Sequence, residues 1–295
     1  MSTQPVASAA ALSHQEYRAP AAAPGGAYPG IRFDVGALLG STFQTWVDNL
    51  GPLIGLCVLA FLPMLVVAGA AAGGAYFLTQ DGSTTGMIAM GVGGTAAAVA
   101  LMMAALATLA GSFLMLEERV RHEPRTLTVV NAFKQGFGYA GRAFFGYLLV
   151  MLPFVIPALS MAGFAMSVGF EIHDNRSIAG MVAVFGLTML PMIYFVLRLS
   201  ALLPALVVED LSVGVALQRS LELTRGRVGT LFVTYLLFGM ISFVAMFFVA
   251  LLGIIPILGQ LVGLAFQVCT YPLSMVVPFI LYAGMRTDEE QGRVR

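Results

Sequence analysis

Charge is scarce in this sequence. Only 10% of its 295 residues are Asp, Glu, Lys or Arg, where a soluble domain carries roughly a quarter, and 59% are apolar. A chain with so few charges cannot clothe a water-soluble surface and belongs in a bilayer. Fifteen basic and fifteen acidic residues cancel, so nothing in the net charge draws nucleic acid. Cysteine is nearly absent, and Cys57 and Cys269 both lie in apolar runs, where they read as small packing residues. The histidines His14, His122 and His173 fall in the N-terminal tail and on opposite sides of the expected membrane, too far apart to share a metal ion. No HExxH, GxSxG or phosphate-cradling glycine loop occurs, so neither catalysis nor a cofactor is expected. No basic segment leads into a short apolar core at the N-terminus, which argues against a cleaved signal peptide. Residues 1–30 instead read as a tail rich in Ala, Pro and Gly, too poor in large apolar groups to pack.

Long apolar runs are what the chain does have. They cover Leu50–Leu78, Met87–Leu116, Ala143–Phe170, Ile178–Val208, Val228–Ile255 and Ile257–Met285. Each exceeds the roughly 20 residues that a helix needs to cross about 30 Å of hydrocarbon, which predicts an all-α integral membrane protein of six spans. Short turns, TQDGSTTG, EIHDNRS and GIIPILGQ, join the spans into three hairpins. With both termini on one side, thirteen of the fifteen Lys and Arg residues fall on that side and only Arg176 on the other, which places both termini in the cytoplasm.

The segments ahead of the first, third and fifth spans align without gaps. DVGALLGSTFQTWVDNLG from Asp34 matches SVGVALQRSLELTRGRVG from Ser212, and TVVNAFKQGFGYAGRAFF from Thr128 fits less closely. Val35, Val129 and Val213 share a column, as do Leu38, Ala132 and Ala216. In the first copy, Val35, Leu38, Leu39, Thr42, Phe43 and Trp46 form one helical face. Asp34, Thr128 and Ser212 stand just ahead of the stripe and read as N-caps. The membrane domain, residues 31–286, therefore reads as three repeats, approximately 31–116, 124–208 and 209–285, each a cytoplasmic amphipathic helix followed by a helical hairpin. Residues 287–295 read as a second tail.

Basic residues on these surface helices, Lys134, Arg142, Arg219, Arg225 and Arg227, together with Arg198 and the interfacial Trp46, are the candidates for contact with anionic headgroups or a partner. Arg198 alone lies inside an apolar run, and a charge at mid-bilayer marks a functional site by default. Its run, however, would make a helix about 46 Å long. Twenty residues from Ile178 reach Leu197, so Arg198 is expected at the interface, with Leu199–Val208 along the surface after a break near Pro204 and Glu209 or Asp210 as its partner. Arg198, Gln260, Gln267 and Thr270 also make a possible polar path through the membrane, although neutral groups of this kind more often join helices to one another. Ala107 with Gly111 in the second span has the four-residue spacing that lets helices approach closely.

One pattern is recognisable. Arg198, Pro204, Glu209, Ala216, Leu217, Arg219, Ser220, Leu223, Thr224 and Gly226 resemble the end of the membrane domain fused to some bacterial glycerophosphoryl diester phosphodiesterases and found in many stand-alone membrane proteins. Val35 through Pro63 is similar to that domain's opening, so the resemblance covers roughly residues 31 to 286. It implies a six-span bacterial inner-membrane domain, and it does not imply phosphodiesterase activity, because the soluble catalytic barrel has no counterpart here. Val228 stands where the family often has an aromatic residue after the RxG turn. The expected function is a non-enzymatic contact with membrane lipids or a membrane-protein partner, including a homo-oligomer; a transporter or lipid translocator is the alternative.

Overall fold

The computed structural model describes residues 28, 30–79, 84–121, 127–168, 175–252 and 255–294, which form eight α-helices with no strand among them. These are α1 (Val35–Thr79), α2 (Thr84–Val120), α3 (Val129–Val168), α4 (Asn175–Leu199), α5 (Leu202–Val208), α6 (Val213–Leu223), α7 (Val228–Leu252) and α8 (Pro256–Val294). Five segments of the described residues are long and apolar enough to cross a membrane: Gly93–Val120, Val129–Phe164, Val182–Val208, Val228–Leu252 and Leu261–Gly292. The expected first span, Leu50–Leu78, lies in α1, mostly at positions whose side chains are outside the described ones. The three hairpin turns and most of the N-terminal tail also fall partly or largely outside the described residues.

The three aligned helices begin where the capping column placed them, at Val35, Val129 and Val213. Asp34 Oδ2 accepts from the amides of Gly36 and Ala37 at 3.2 and 3.4 Å, and Thr128 Oγ1 from Asn131 at 3.3 Å. Ser212 has the extended backbone of an N-cap, but its hydroxyl makes no capping bond. Leu38, Ala132 and Ala216, one column of the alignment, are all fully buried.

Beyond these starts the three aligned segments diverge. A separate surface helix followed by a span is present only in the third, where α6 ends and the turn 224–227 leads into α7. In the first two, the amphipathic segment and the span form one continuous helix, α1 or α3. Gly226 takes φ +75°, a left-handed conformation that is cheap only without a Cβ. The alignment puts Asp48 and Arg142 in its column, so neither of those helices has a glycine to stop it there.

Packing is tightest where α2 crosses α3. A Cβ on Gly111 would lie 2.6 Å from the carbonyl oxygen of Ala132, and one on Gly136 would overlap the carbonyl oxygen of Ala107. Each helix thus presents an alanine and a glycine four apart, and the backbones touch directly. The most apolar stretch of α2 is 56% buried inside the protein, against 6% for α7, so α2 is central while α7 turns Phe243, Phe247 and Phe248 outward to lipid. The core concentrates at one end of the bundle, where α1, α3, α6 and α7 begin and α2, α4 and α8 end; Tyr282, Phe279, Phe113, Leu38 and Leu206 are fully buried there. Tyr28, from the supposed tail, joins this core edge-on against Phe279 with ring centroids 6.0 Å apart. Burial, helped by the charge of Glu117, pushes its phenol up to about 12.

Candidate functional site

Polar chemistry gathers at this same end, around the reversal between α5 and α6. The break ahead of α5 comes at Ser200 and Ala201, so Pro204 sits in the first turn of α5, where its missing N–H costs nothing. That helix does not lie along the surface as expected: Leu202, Pro204, Ala205, Leu206 and Val207 are buried, because the span before it stops at Leu199 and the chain folds back into the bundle. It ends with Asp210 at φ +50° and the Leu211 amide on the Leu206 carbonyl at 3.1 Å, the closing bond of a Schellman motif. Reversing the chain there sends two adjacent carboxylates in opposite directions. Asp210 faces out to Arg142 at 2.9 Å, whose guanidinium also lies 4.9 Å from the Tyr139 ring. Glu209 faces in.

Glu209 Oε1 accepts from Tyr282 Oη at 2.7 Å and Arg219 Nε at 3.3 Å, and Arg286 approaches to 3.8 Å. Arg219 carries on to Glu289 with two parallel bonds of 3.1 and 2.8 Å, the bidentate geometry that suits a planar guanidinium. Burial works against its charge, but the hydrogen bonds to Glu289 and the charge of Glu209 outweigh that and hold its pKa above the ordinary arginine range. Alongside, Arg227 bonds Asp288 at 2.9 and 2.6 Å, and Arg286 Nε stands 3.6 Å from Glu290. Residues 287–294, expected as a tail, are therefore the last turns of α8, supplying the acids that fasten α6 and the start of α7.

Arg198 serves α6 at its other end. Its Nη1 donates to the Leu221 carbonyl at 2.9 Å and Thr224 Oγ1 at 3.3 Å, while Ser220 Oγ donates back to the Arg198 carbonyl at 2.8 Å. Arg227 Nη1 likewise meets the Leu223 carbonyl at 2.7 Å, so two arginines satisfy the open carbonyls of the last turn and complement its dipole. The partners expected for Arg198 are both taken, Glu209 by Arg219 and Asp210 by Arg142. Arg198→Ala should keep the fold, with unchanged helical circular dichroism, and cost about 1–2 kcal/mol read as a lower thermal midpoint in detergent.

A family model for the membrane domain of glycerophosphoryl diester phosphodiesterase matches residues 108–285. The chain belongs to that family. No curated protein and no solved structure matches it. The segment of this membrane-domain family holds Arg198, Glu209, Arg219 and Tyr282, whereas Asp288, Glu289 and Glu290 lie just beyond it. It begins at Thr108, so the likeness of Val35–Pro63 to the opening of the domain rests on those residues alone.

The remaining candidates separate by how they are engaged. Arg219 points into the core, and Arg142 and Arg227 hold acids, so these three are committed within this family member. Lys134, Arg225 and also Arg32 are exposed and meet no partner among the described residues. Trp46 is half-buried, and its indole N–H donates to the Cys269 carbonyl at 3.1 Å, tying α1 to α8 near Pro272. Gln267 and Thr270 line a groove of about 800 Å³ between α1 and α8, and Arg198 does not. The side chain of Gln260 lies outside the described ones. The acids of α8 were missed in the sequence although DEE follows the last span directly; only their distance from Arg219 and Arg227 along the chain concealed the pairing.

Proposed function

We propose that this chain is a non-enzymatic bacterial inner-membrane protein of six spans, built as three repeats with both termini in the cytoplasm, whose charged end binds anionic lipid headgroups. One observation carries the reading: the cations at that end fall into two sets. Arg142, Arg198, Arg219, Arg227 and Arg286 are engaged within the protein, while Arg32, Lys134 and Arg225 reach solvent without a partner among the described residues. Cations anchored beside apolar spans sit at headgroup depth, where each contributes about 1 kcal/mol toward an anionic surface. The internal ion network supports the same reading, because it fixes α6 and thereby the position of Arg225. Support for three repeats comes from the common helix starts and from the shared burial of Leu38, Ala132 and Ala216.

The test is native mass spectrometry of the protein released from vesicles of equal phosphatidylglycerol and phosphatidylethanolamine. The protein should retain phosphatidylglycerol preferentially, and the variant carrying Arg32→Gln, Lys134→Gln and Arg225→Gln should lose that preference by roughly tenfold to a hundredfold. Equal retention of both lipids by the unaltered protein would overturn the proposal. A transport path from Arg198 to Gln267 has less to recommend it, since Arg198 caps α6 while Gln267 opens onto a different surface.

A further inference from the structure

The groove between α1 and α8 holds an unmet polar group where the membrane offers nothing to meet it. Its lining is Cys57, Val58 and Phe61 from α1 with Leu264, Gln267 and Val268 among the residues of α8. Gln267 lies about 16 Å along α8 from Pro256 at the α7–α8 turn, which is close to mid-depth in hydrocarbon of about 30 Å. Thr270 and Ser274 turn their hydroxyls back onto the Phe266 and Tyr271 carbonyls at 2.7 Å each, so these two need no external partner. The Gln267 side-chain amide is exposed and makes no hydrogen bond among the described residues. An unpaired amide in hydrocarbon is costly, and it is a donor and an acceptor at once.

Along α8, Leu264, Gln267, Tyr271 and Ser274 follow one another at spacings of three and four, and all are exposed. This is the spacing that a seam between two coiled helices requires, and it puts Gln267 at a core position of such a seam. We infer that a second copy of this chain docks here, α8 against α8 about a two-fold axis along the membrane normal, with the two Gln267 amides hydrogen-bonded to each other. A two-fold axis brings like residues together at equal depth, and a primary amide is the polar side chain that satisfies its own duplicate twice over. A phospholipid tail would fill the groove, but its ester groups lie at the headgroups and leave the amide unmet. Flanking the seam, Phe61 packs edge-on against Tyr271 at 6.3 Å and presents an apolar shoulder to the partner helix.

The proposal is tested by cysteine cross-linking in native membranes, in a Cys57→Ala, Cys269→Ala background. Leu264→Cys, at the seam, should form a disulfide-linked dimer on mild oxidation; Phe243→Cys, 73% exposed on α7, should not. Gln267→Leu, at an exposed position of the protomer that tolerates leucine, should weaken dimerisation about tenfold in a bilayer dilution series, and Gln267→Asn should restore part of it. Equal cross-linking at the two cysteine positions, or undiminished dimer in Gln267→Leu, would overturn the inference. So would a monomer that carries one bound lipid and loses it in Gln267→Leu.

Discussion

Gly136→Ala should destabilise the protein by about 3 kcal/mol or more, while Gly138→Ala, two residues along the same helix, should be neutral or mildly stabilising. One methyl group separates each pair, so the contrast isolates the α2–α3 contact. At Gly136 the new Cβ would overlap the Ala107 carbonyl oxygen and come within 2.9 Å of the Gly111 amide nitrogen, both backbone atoms of a helix that cannot give way locally. The two helices must move apart along the whole crossing, which strips contacts from Phe133, Leu109 and the core beneath them. At Gly138 nothing lies within 4 Å, so the methyl enters open space and alanine's better helix propensity is all that remains. Gly111→Ala, 2.6 Å from the Ala132 oxygen, should fall nearer to Gly136→Ala. Fluorescence-detected size exclusion after heating would read all three. Equal midpoints for Gly136→Ala and Gly138→Ala would show that α2 and α3 do not cross as closely as described.

What the sequence revealed and what it concealed follow from how local each signal is. Three residues of capping type in one column located three helix starts, because a cap acts within its own turn, although only Asp34 and Thr128 make the side-chain bond. Apolar runs located the five membrane-crossing segments of the described residues for the same reason. The continuity of α1 and α3 was also written locally, in Asp48 and Arg142 where the third copy has Gly226, but the shared amphipathic pattern suggested a common architecture and outweighed that difference. The ion network could not be found this way. Arg219 and Glu289 are brought together only by α8 folding back across α6, and nothing near Arg219 in the chain favours Glu289 over Glu222. Arg198 shows the opposite failure: nearness in sequence offered Glu209 and Asp210, and the Schellman reversal turned both away. The groove that places Gln267 at a seam depends on two helices from opposite ends of the chain.

Glu209→Ala should be the most damaging change at the charged end, costing about 3–5 kcal/mol as a loss of thermal stability in detergent. The carboxylate is nearly inaccessible and takes bonds from Tyr282 and Arg219 with Arg286 close by, so removing it leaves two partly buried guanidinium groups short of an acceptor. A buried pair as a whole adds little beyond what well-packed apolar residues would supply; most of the cost lies in stranding one member. That distinction gives the experiment its form. Arg219→Met alone takes the shared guanidinium away from both Glu209 and Glu289, whereas Glu209→Leu combined with Arg219→Met removes the central pair and keeps the volume filled. The double variant should be more stable than the sum of the single losses predicts, by about 1–3 kcal/mol of coupling. Tyr282→Phe, which deletes one donor to Glu209 and one acceptor of Arg286, should cost about 1 kcal/mol and mark the lower end of the series. Strict additivity between positions 209 and 219 would mean that the carboxylate and guanidinium act independently, leaving the Arg219–Glu289 bonds and apolar packing to hold α6 to α8.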